Sequence, residues 1–247
     1  MTAPVETSLC GILEETGDAF LRWSVTSSEV LGAWRAGSDA VLIRNSATRH
    51  LRRGPSLIGI GPGGDQLAEL ARTAAAQCRV TPRGVTVCAS AYDGLPLDWG
   101  LRVRGRWDYM VAEVAPAVAP EHQVVRIDAG SEVDALLDLA NPDAHARPGD
   151  ADIAYWLGVR DQAGLACVGA LAVTANGGAH LRAISTRPQA RGRGLGSAVS
   201  AELTRRGLNE ISPQVTLGVY SDNAGAIRVY ERLGYRRVHR FVSAAVG

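Results

Sequence analysis

The sequence lacks several features that mark large classes of protein. It contains no uninterrupted apolar run of ~18 residues, so it predicts no transmembrane helix. Basic and acidic residues number 26 and 25, and a net charge of +1 provides no global field for binding a nucleic acid or an anionic membrane. The N-terminal segment MTAPVETSLCGILEETGD has no basic stretch followed by an apolar run, so no signal peptide is expected. These absences favour a cytoplasmic protein that captures any anionic ligand locally.

The cysteines and histidines also lack the spacing that is typical of metal-binding residues. There is no CxxC pair, no Cys/His cluster and no H-E-x-x-H motif. We therefore expect no metal site and no disulfide framework, with the thiols buried as apolar groups in a reducing compartment. The residues concerned are Cys10, Cys78, Cys88 and Cys167, and His50, His122, His145, His180 and His239.

The chain does contain enough apolar residues for a sizeable core. Of its 247 residues, 46% are hydrophobic, which suits one large domain or two small ones. The stretch APAVAPEHQ at 115–123 is rich in proline and small residues, as domain boundaries often are. It predicts an N-terminal lobe over residues 1–118 and a second domain over 119–247.

The N-terminal half gives a mixed pattern. The segment GPGGD at 61–65 separates a strand from a helix over 66–77, with Asp65 as the expected N-cap. This segment lacks the Lys-Ser/Thr pair of a P-loop and the G-x-G-x-x-G spacing, so it predicts a tight strand-to-helix turn. The expected strands are 40–44, 57–60, 85–89 and 104–114.

The C-terminal half gives a clearer pattern. Turns at Gly164 and at Asn176–Gly178 join three strands into an antiparallel meander, and a strand–helix–strand–helix–strand run follows. The sequence thus predicts a mixed α/β fold with a mostly antiparallel sheet flanked by helices. Leu136, Leu137 and Leu139 should face the core from the first helix. The expected strands are 124–128, 155–161, 166–174, 180–186, 215–220 and 235–241, and the expected helices are 131–140, 195–208 and 223–233.

A glycine-rich segment, Arg191–Gly196, opens the helix over 195–208. The amides of a helix N-terminus and the helix dipole favour phosphate, and glycine lets a phosphate approach the backbone. One charge-assisted hydrogen bond contributes roughly 1.5–3 kcal/mol, whereas micromolar affinity needs about 8 kcal/mol, so several convergent amides are required. A diphosphate is a ligand that suits such a set of convergent amides. A Rossmann fingerprint would have glycine or alanine at Ser197, and a Walker loop would need lysine.

The R-x-x-G-x-G spacing from Arg191 through Gly194 to Gly196 resembles the acyl-CoA pyrophosphate loop of the GNAT superfamily of N-acetyltransferases. A second stretch is similar to the next strand, helix and terminal strand of that family. The resemblance covers roughly residues 124–241. The segment GRWDYM at 105–110 also resembles a two-lobed, actinobacterial-type branch, which implies a smaller, degenerate GNAT-like N-terminal lobe. The second pattern, N-x-x-A-x-x-x-Y-x-x-x-G-Y, is carried by Asn223, Ala226, Tyr230, Gly234 and Tyr235.

The resemblance implies roles for individual residues. The pantetheine arm would pair with the backbone of Ile184, Ser185 and Thr186, although family members usually have an apolar residue in place of Thr186. Tyr230 would be the general acid for the leaving sulfur, and Asn223 would either bind pantetheine or cap its helix. The backbone amides that would hold the pyrophosphate belong to Arg191, Gly192, Arg193, Gly194, Leu195 and Gly196.

The implied activity is that of an acyltransferase of the EC 2.3.1 type, with acetyl-CoA as cosubstrate and no metal. A primary amine would attack the thioester directly in a ternary complex, since no cysteine falls within either motif. A non-catalytic acyl-CoA sensor and a partner-binding protein on an inherited scaffold are the alternatives. The acceptor amine is unspecified, and the chain could act alone or as a homodimer. The acidic residues considered as general base, none with a spacing argument, are Asp108, Glu113, Asp152 and Asp222.

Overall fold

A computed structural model of the chain describes residues 3–48, 51–117 and 122–246. The chain forms two compact units, each built from more than one segment. The proposed boundary at 115–123 lies partly outside the described residues, as does His50 entirely. Unit 1 consists of Met1–Tyr109, Tyr220–Asp222 and Val238–Gly247, and unit 2 consists of Met110–Val219 and Asn223–Arg237.

The elements up to residue 112 begin with two short helices that the sequence pattern did not predict. Ser8 caps the first and Asp18 the second, each accepting a hydrogen bond from a backbone amide three residues later. The elements are β1 (Val5–Thr7), α1 (Leu9–Thr16), α2 (Ala19–Ser24), β2 (Val30–Ala36), β3 (Asp39–Thr48), β4 (Leu51–Ile60), α3 (Gly64–Gln77), β5 (Gly84–Cys88) and β6 (Leu101–Ala112).

The later elements follow the predicted order. Gly164 and Gly177 have φ angles of 101° and 77° in the two turns of the meander, a backbone conformation that glycine adopts readily. The elements are β7 (Val125–Ile127), α4 (Ser131–Ala140), β8 (Ile153–Asp161), β9 (Gly164–Val173), β10 (Ala179–Thr186), α5 (Leu195–Glu210), β11 (Val215–Tyr220), α6 (Ala224–Arg232) and β12 (Arg236–Val246).

The strands of unit 1 form a mostly antiparallel arrangement in the order β1-β2-β3-β4-β5-β12. Strands β1 to β4 pair antiparallel, β4 and β5 are parallel, and β12 closes antiparallel on β5. The parallel connection from β4 to β5 runs through α3, as a parallel pair requires.

Unit 2 repeats the same plan. Strands β7 to β10 pair antiparallel, α5 follows, and β11 lies parallel to β10. The helix α5 buries Leu195, Val199 and Leu203 in the main core of this unit. The mixed α/β fold with a mostly antiparallel sheet is therefore confirmed.

Three details of the sequence prediction are wrong. The four thiols are not all buried, because Cys10 is exposed and Cys78 is only partly buried. Asp65 does not cap α3, because Gly63 holds the N-cap position and Asp65 lies in the first turn. Leu139 does not face the core: it is 57% exposed, whereas Leu136 and Leu137 are buried. No helix in the described ranges has the length and apolar character needed to cross a membrane.

Candidate active site

The parallel strands β10 and β11 separate after a short paired stretch. Within the described residues, Ala179–Leu181 pairs with Val215–Leu217 and the pairing then stops. Strand β10 nevertheless continues to Thr186. Its backbone after Leu181 has no strand on the β11 side, so an extended ligand arm can add to this edge as a strand does.

A bulge lies in the same part of β10. The register against β9 shifts between Arg182 and Ser185, and Ala183 has a φ of 52°. A non-glycine residue at positive φ is uncommon, and bulges are frequent next to active sites. The bulge removes Ile184 from the ladder with β9, whereas Ser185 and Thr186 pair with β9 again.

The glycine segment after β10 adopts left-handed backbone at two positions. Gly192 has a φ of 78° and Gly194 a φ of 76°. Gly194 is the N-cap of α5, and no side chain in the described residues caps this helix, so its first-turn amides are free for an anion. A Cβ at Gly196 would lie 3.6 Å from Thr186 Oγ1, an ordinary contact. Neither backbone conformation nor packing requires glycine at this position.

Tyr230 lies near the end of α6, with its ring 5.7 Å from that of Tyr235 in an edge contact. Burial raises the pKa of the Tyr230 phenol to about 12, while the neighbouring Ser200 hydroxyl opposes the rise and the Cys167 thiol adds to it. The phenol is therefore protonated at neutral pH. It can donate a hydrogen bond, but it cannot act as a base.

The part of the chain that contains the separating strands β10 and β11 and the uncapped glycine loop also matches a known protein family in sequence. Residues 156–242 match the family model of FR47-like proteins. This part of the chain is similar to FR47-like proteins, and the fold of the chain is GNAT-like.

Solved structures of GNAT proteins share the fold. A GCN5-related N-acetyltransferase from Kribbella flavida is 19% identical, with a TM-score of 0.53 over 85% of this chain and 87% of that chain. One from Sphaerobacter thermophilus is 18% identical, with a TM-score of 0.50 over 98% and 94%. A tandem GNAT protein from the clavulanic acid biosynthesis pathway is 16% identical, with a TM-score of 0.50 over 100% and 99%. No curated protein matches the sequence.

The arginines of the glycine-rich loop, Arg191 and Arg193, make contacts within the protein. Arg191 donates to the carbonyl oxygens of Thr186 and Ala140 at 3.3 and 3.4 Å. Arg193 lies 3.2 Å from Asp161, which also receives two hydrogen bonds of 2.8 Å from Arg187. The side chains thus hold the loop in place, and the Arg191 amide is also occupied, since it donates to the Pro188 carbonyl oxygen at 3.3 Å.

Asn223 is the N-cap of α6, and its Oδ1 accepts a 3.0 Å hydrogen bond from the Ala226 amide. Of the two roles left open for this residue, the structure shows the capping one. Its amide nitrogen is a donor that the cap does not use.

Three of the four acidic residues considered as general base are engaged by arginine, and one of these is Asp108, whose Oδ1 lies 3.5 Å from Arg240 Nε. Hydrogen bonds from Gln214 and Arg236 lower the pKa of Glu113, and Asp152 lies 2.6 Å from Arg182. Glu113 is thereby held as a carboxylate with weakened basicity. Asp108 and Asp222 belong to unit 1.

One contact to the loop carried no signal in the sequence. His122 Nε2 lies 2.7 Å from the backbone oxygen of Arg193. The two residues are 71 positions apart, and His122 sits in an irregular segment, so neither spacing nor periodicity could indicate the pair.

Proposed function

We propose that this protein, which has a GNAT-like fold, is an acetyl-CoA-dependent N-acetyltransferase that acts on a primary amine. The observation that carries the proposal is the separation of β10 from β11 directly before an uncapped, glycine-rich helix N-terminus. Acyl-CoA combines an extended, amide-bearing arm with a diphosphate. The free edge of β10 suits the arm, and the amides of Gly192–Gly196 suit the diphosphate, whereas the Arg191 amide donates to the Pro188 carbonyl oxygen.

The amine nitrogen would attack the thioester carbonyl carbon, the C–S bond would break, and the sulfur would leave as a thiolate. Tyr230, held protonated by burial, would donate a hydrogen bond to that sulfur. A phenol with a pKa of about 12 is a weaker acid than a thiol of pKa ~8.5, so stabilisation of the thiolate precedes full proton transfer. The proton lost by the amine passes to water or to a carboxylate.

Direct transfer in a ternary complex is favoured over a covalent enzyme intermediate. The cysteine beside the proposed arm site is Cys167, whose sulfur accepts a 3.2 Å hydrogen bond from Thr186 Oγ1. Burial raises the pKa of this thiol to about 11. Since the thiolate is the nucleophilic form, Cys167 is poorly suited to carry an acyl group at neutral pH.

We further propose that the lobe over residues 1–118 is a degenerate copy of the domain over 119–247. Both halves have a meander, a glycine-rich turn, a helix and a parallel strand. In unit 1, however, β4 and β5 pair through Gly59–Val87, one residue before both strands end, so no slot opens. The turn at 61–64 wraps around the buried carboxylate of Asp39, which accepts a 2.9 Å hydrogen bond from the Gly63 amide. An anion of the chain itself already occupies this turn.

This proposal predicts one acetyl-CoA site per chain. Isothermal titration calorimetry with acetyl-CoA should give a stoichiometry of one, and acetyl-CoA should raise the melting temperature because it binds the folded state. A stoichiometry of two would contradict the account of unit 1. No heat and no thermal shift at millimolar acetyl-CoA would contradict the proposed function.

A screen of primary amines with acetyl-CoA, followed by the release of free thiol, tests the activity itself. All 26 basic residues of the chain are arginine, so lysine self-acetylation cannot contribute to the signal. Binding of acetyl-CoA without thiol release for any class of amine would favour the sensor alternative. We expect the reaction to take place in the cytoplasm.

A further inference from the structure

Two hydroxyl groups lie on the side of α5 that packs against the tyrosines of unit 2. Ser200 and Thr204 are one helical turn apart, and both residues are completely buried. The rings of Tyr230 and Tyr235 lie 5.7 Å apart and contact these hydroxyls. Buried hydroxyls normally have hydrogen-bond partners, so the direction of each proton in the two pairs can be worked out.

The pair formed by Thr204 and Tyr235 has every proton assigned. Thr204 Oγ1 donates its one hydrogen to the Ser200 carbonyl oxygen at 2.7 Å, an arrangement that is common for threonine in a helix. The Tyr235 hydroxyl lies 2.8 Å from Thr204 Oγ1 and must therefore be the donor in that contact. The Tyr235 proton thus points at the helix and is not offered to a ligand.

The hydroxyl of Ser200 is in a different situation. Its oxygen is buried, and it makes no hydrogen bond of ordinary geometry to any residue that the structure describes, so its hydrogen is not given to the preceding helical turn. Burial raises the pKa of the Tyr230 phenol, and the Ser200 hydroxyl opposes that rise. A hydroxyl has this effect when it donates to the phenol oxygen, because the hydrogen bond stabilises the phenolate.

The opposite direction of this contact is less favourable. If Tyr230 donated to Ser200 Oγ, the Ser200 hydrogen would remain buried without an acceptor, which costs free energy. If Ser200 donates instead, Tyr230 Oη is the acceptor and its own proton is directed away from the helix. The two tyrosines therefore differ: Tyr235 gives its proton to α5, whereas Tyr230 keeps its proton for another group.

The Tyr230 phenol lies near the end of β10. The Cys167 thiol adds to the rise in the Tyr230 pKa, and the Cys167 sulfur accepts a 3.2 Å hydrogen bond from Thr186 Oγ1. Thr186 is the last residue of β10, whose free edge is the proposed site of the acyl-CoA arm. A proton offered by Tyr230 is therefore close to the place that the leaving sulfur would take.

We propose that Ser200 is a positioning residue for acyl transfer, whose hydroxyl donates to Tyr230 Oη and so directs the phenol proton at the leaving sulfur. This inference rests on the proposed acetyl transfer and on the role given there to Tyr230. Ser200 itself forms no bond to the substrate. As charge develops on the sulfur, the phenol proton is drawn towards it, and the Ser200 hydrogen bond strengthens as charge builds on the phenol oxygen.

Ser200→Ala tests this role, because it removes the hydroxyl and only one heavy atom. We expect kcat to fall about 3–10-fold, the equivalent of one net hydrogen bond, while KM for acetyl-CoA changes little. In a Tyr230→Phe background the same substitution should leave kcat unchanged, since no phenol proton remains to be directed. Steady-state kinetics with the full chain, acetyl-CoA and an amine found in the screen would compare the four proteins.

Thr204→Val is the matched control. It removes a hydroxyl that is equally buried one turn later on α5, and it keeps nearly the same volume. The melting temperature should fall, because the hydrogen bond to Tyr235 is lost, and kcat should stay unchanged. An equal fall of kcat in Thr204→Val and Ser200→Ala would mean that general loosening of α5 accounts for the result, and the proposal would be wrong.

Urea unfolding of the same four proteins tests the contact without acetyl-CoA. The losses in free energy of unfolding caused by Ser200→Ala and Tyr230→Phe should not add in the double variant, because the two hydroxyls interact. Additive losses, an unchanged kcat in Ser200→Ala, or an equal fall of kcat in the Tyr230→Phe background would overturn the role of Ser200 and leave the proposed function standing. A parent protein that releases no thiol with any amine would overturn the proposed function, and this role with it.

Discussion

Replacing Tyr230 with phenylalanine is expected to lower kcat by about 10²–10⁴-fold, the usual contribution of a positioned proton donor. The change removes one hydroxyl from a buried ring and little volume, so α6 should remain packed. Affinity for acetyl-CoA should change much less, because the hydrogen bond strengthens only as negative charge develops on the sulfur. Steady-state kinetics with an identified amine, and calorimetry with acetyl-CoA, would measure the two effects separately.

Tyr235→Phe is a matched control for this experiment. Tyr235 is a buried tyrosine whose hydroxyl lies 2.8 Å from Thr204 Oγ1, so its removal also deletes a hydroxyl from the same aromatic pair. We expect a loss of thermal stability and an unchanged kcat. If Tyr230→Phe turned over like the parent protein, Tyr230 would be a packing residue and its proposed role at the sulfur would be wrong.

The second large effect is expected at the glycine loop. Gly194→Asp should abolish measurable binding of acetyl-CoA, since it adds a negative charge and a side chain where the diphosphate would meet the amides of α5. The position has a φ of 76°, so the substitution also strains the backbone. Calorimetry on the folded variant would measure the loss.

Gly177→Asp is a control that distinguishes backbone strain from damage to the binding site as the cause of the lost affinity. Gly177 has a φ of 77°, and a Cβ there would meet no other atom within 4 Å, so this variant introduces a similar strain in the turn between β9 and β10. It should lower stability by a similar amount and leave acetyl-CoA affinity unchanged. An equal loss of affinity in both variants would mean that strain, and not the site, accounts for the result.

The sequence predicted those parts of the fold that depend on local pattern. The helix α5 was predicted at its first residue, because an apolar face repeats behind a glycine segment, and the meander was predicted from its turn glycines. The helices α1 and α2 were missed, since eight and six residues are too few to establish a periodicity.

Features that depend on distant residues could not be predicted in this way. Asp65 appeared to be the cap of α3, yet the Gly63 amide before it donates to Asp39, 24 residues earlier in the chain. The separation of β10 from β11 and the bulge at Ala183 arise from how three strands fit together, and alanine carries no propensity for positive φ that could signal it. The contact between Cys88 and His239 spans 151 positions.

The pairing of β12 with β5 has a consequence for folding during synthesis. Phe241 of the last strand lies opposite Cys88, so unit 1 lacks the strand that pairs with β5 until the ribosome has synthesised almost the whole chain. The edge of β5 stays unpaired while about 150 further residues are translated, which takes roughly 10–30 s at typical rates. A nascent chain stalled before residue 236 should therefore have an open strand edge that chaperones can recognise. Deleting the last eleven residues should also reduce soluble expression far more than the loss of a surface tail would.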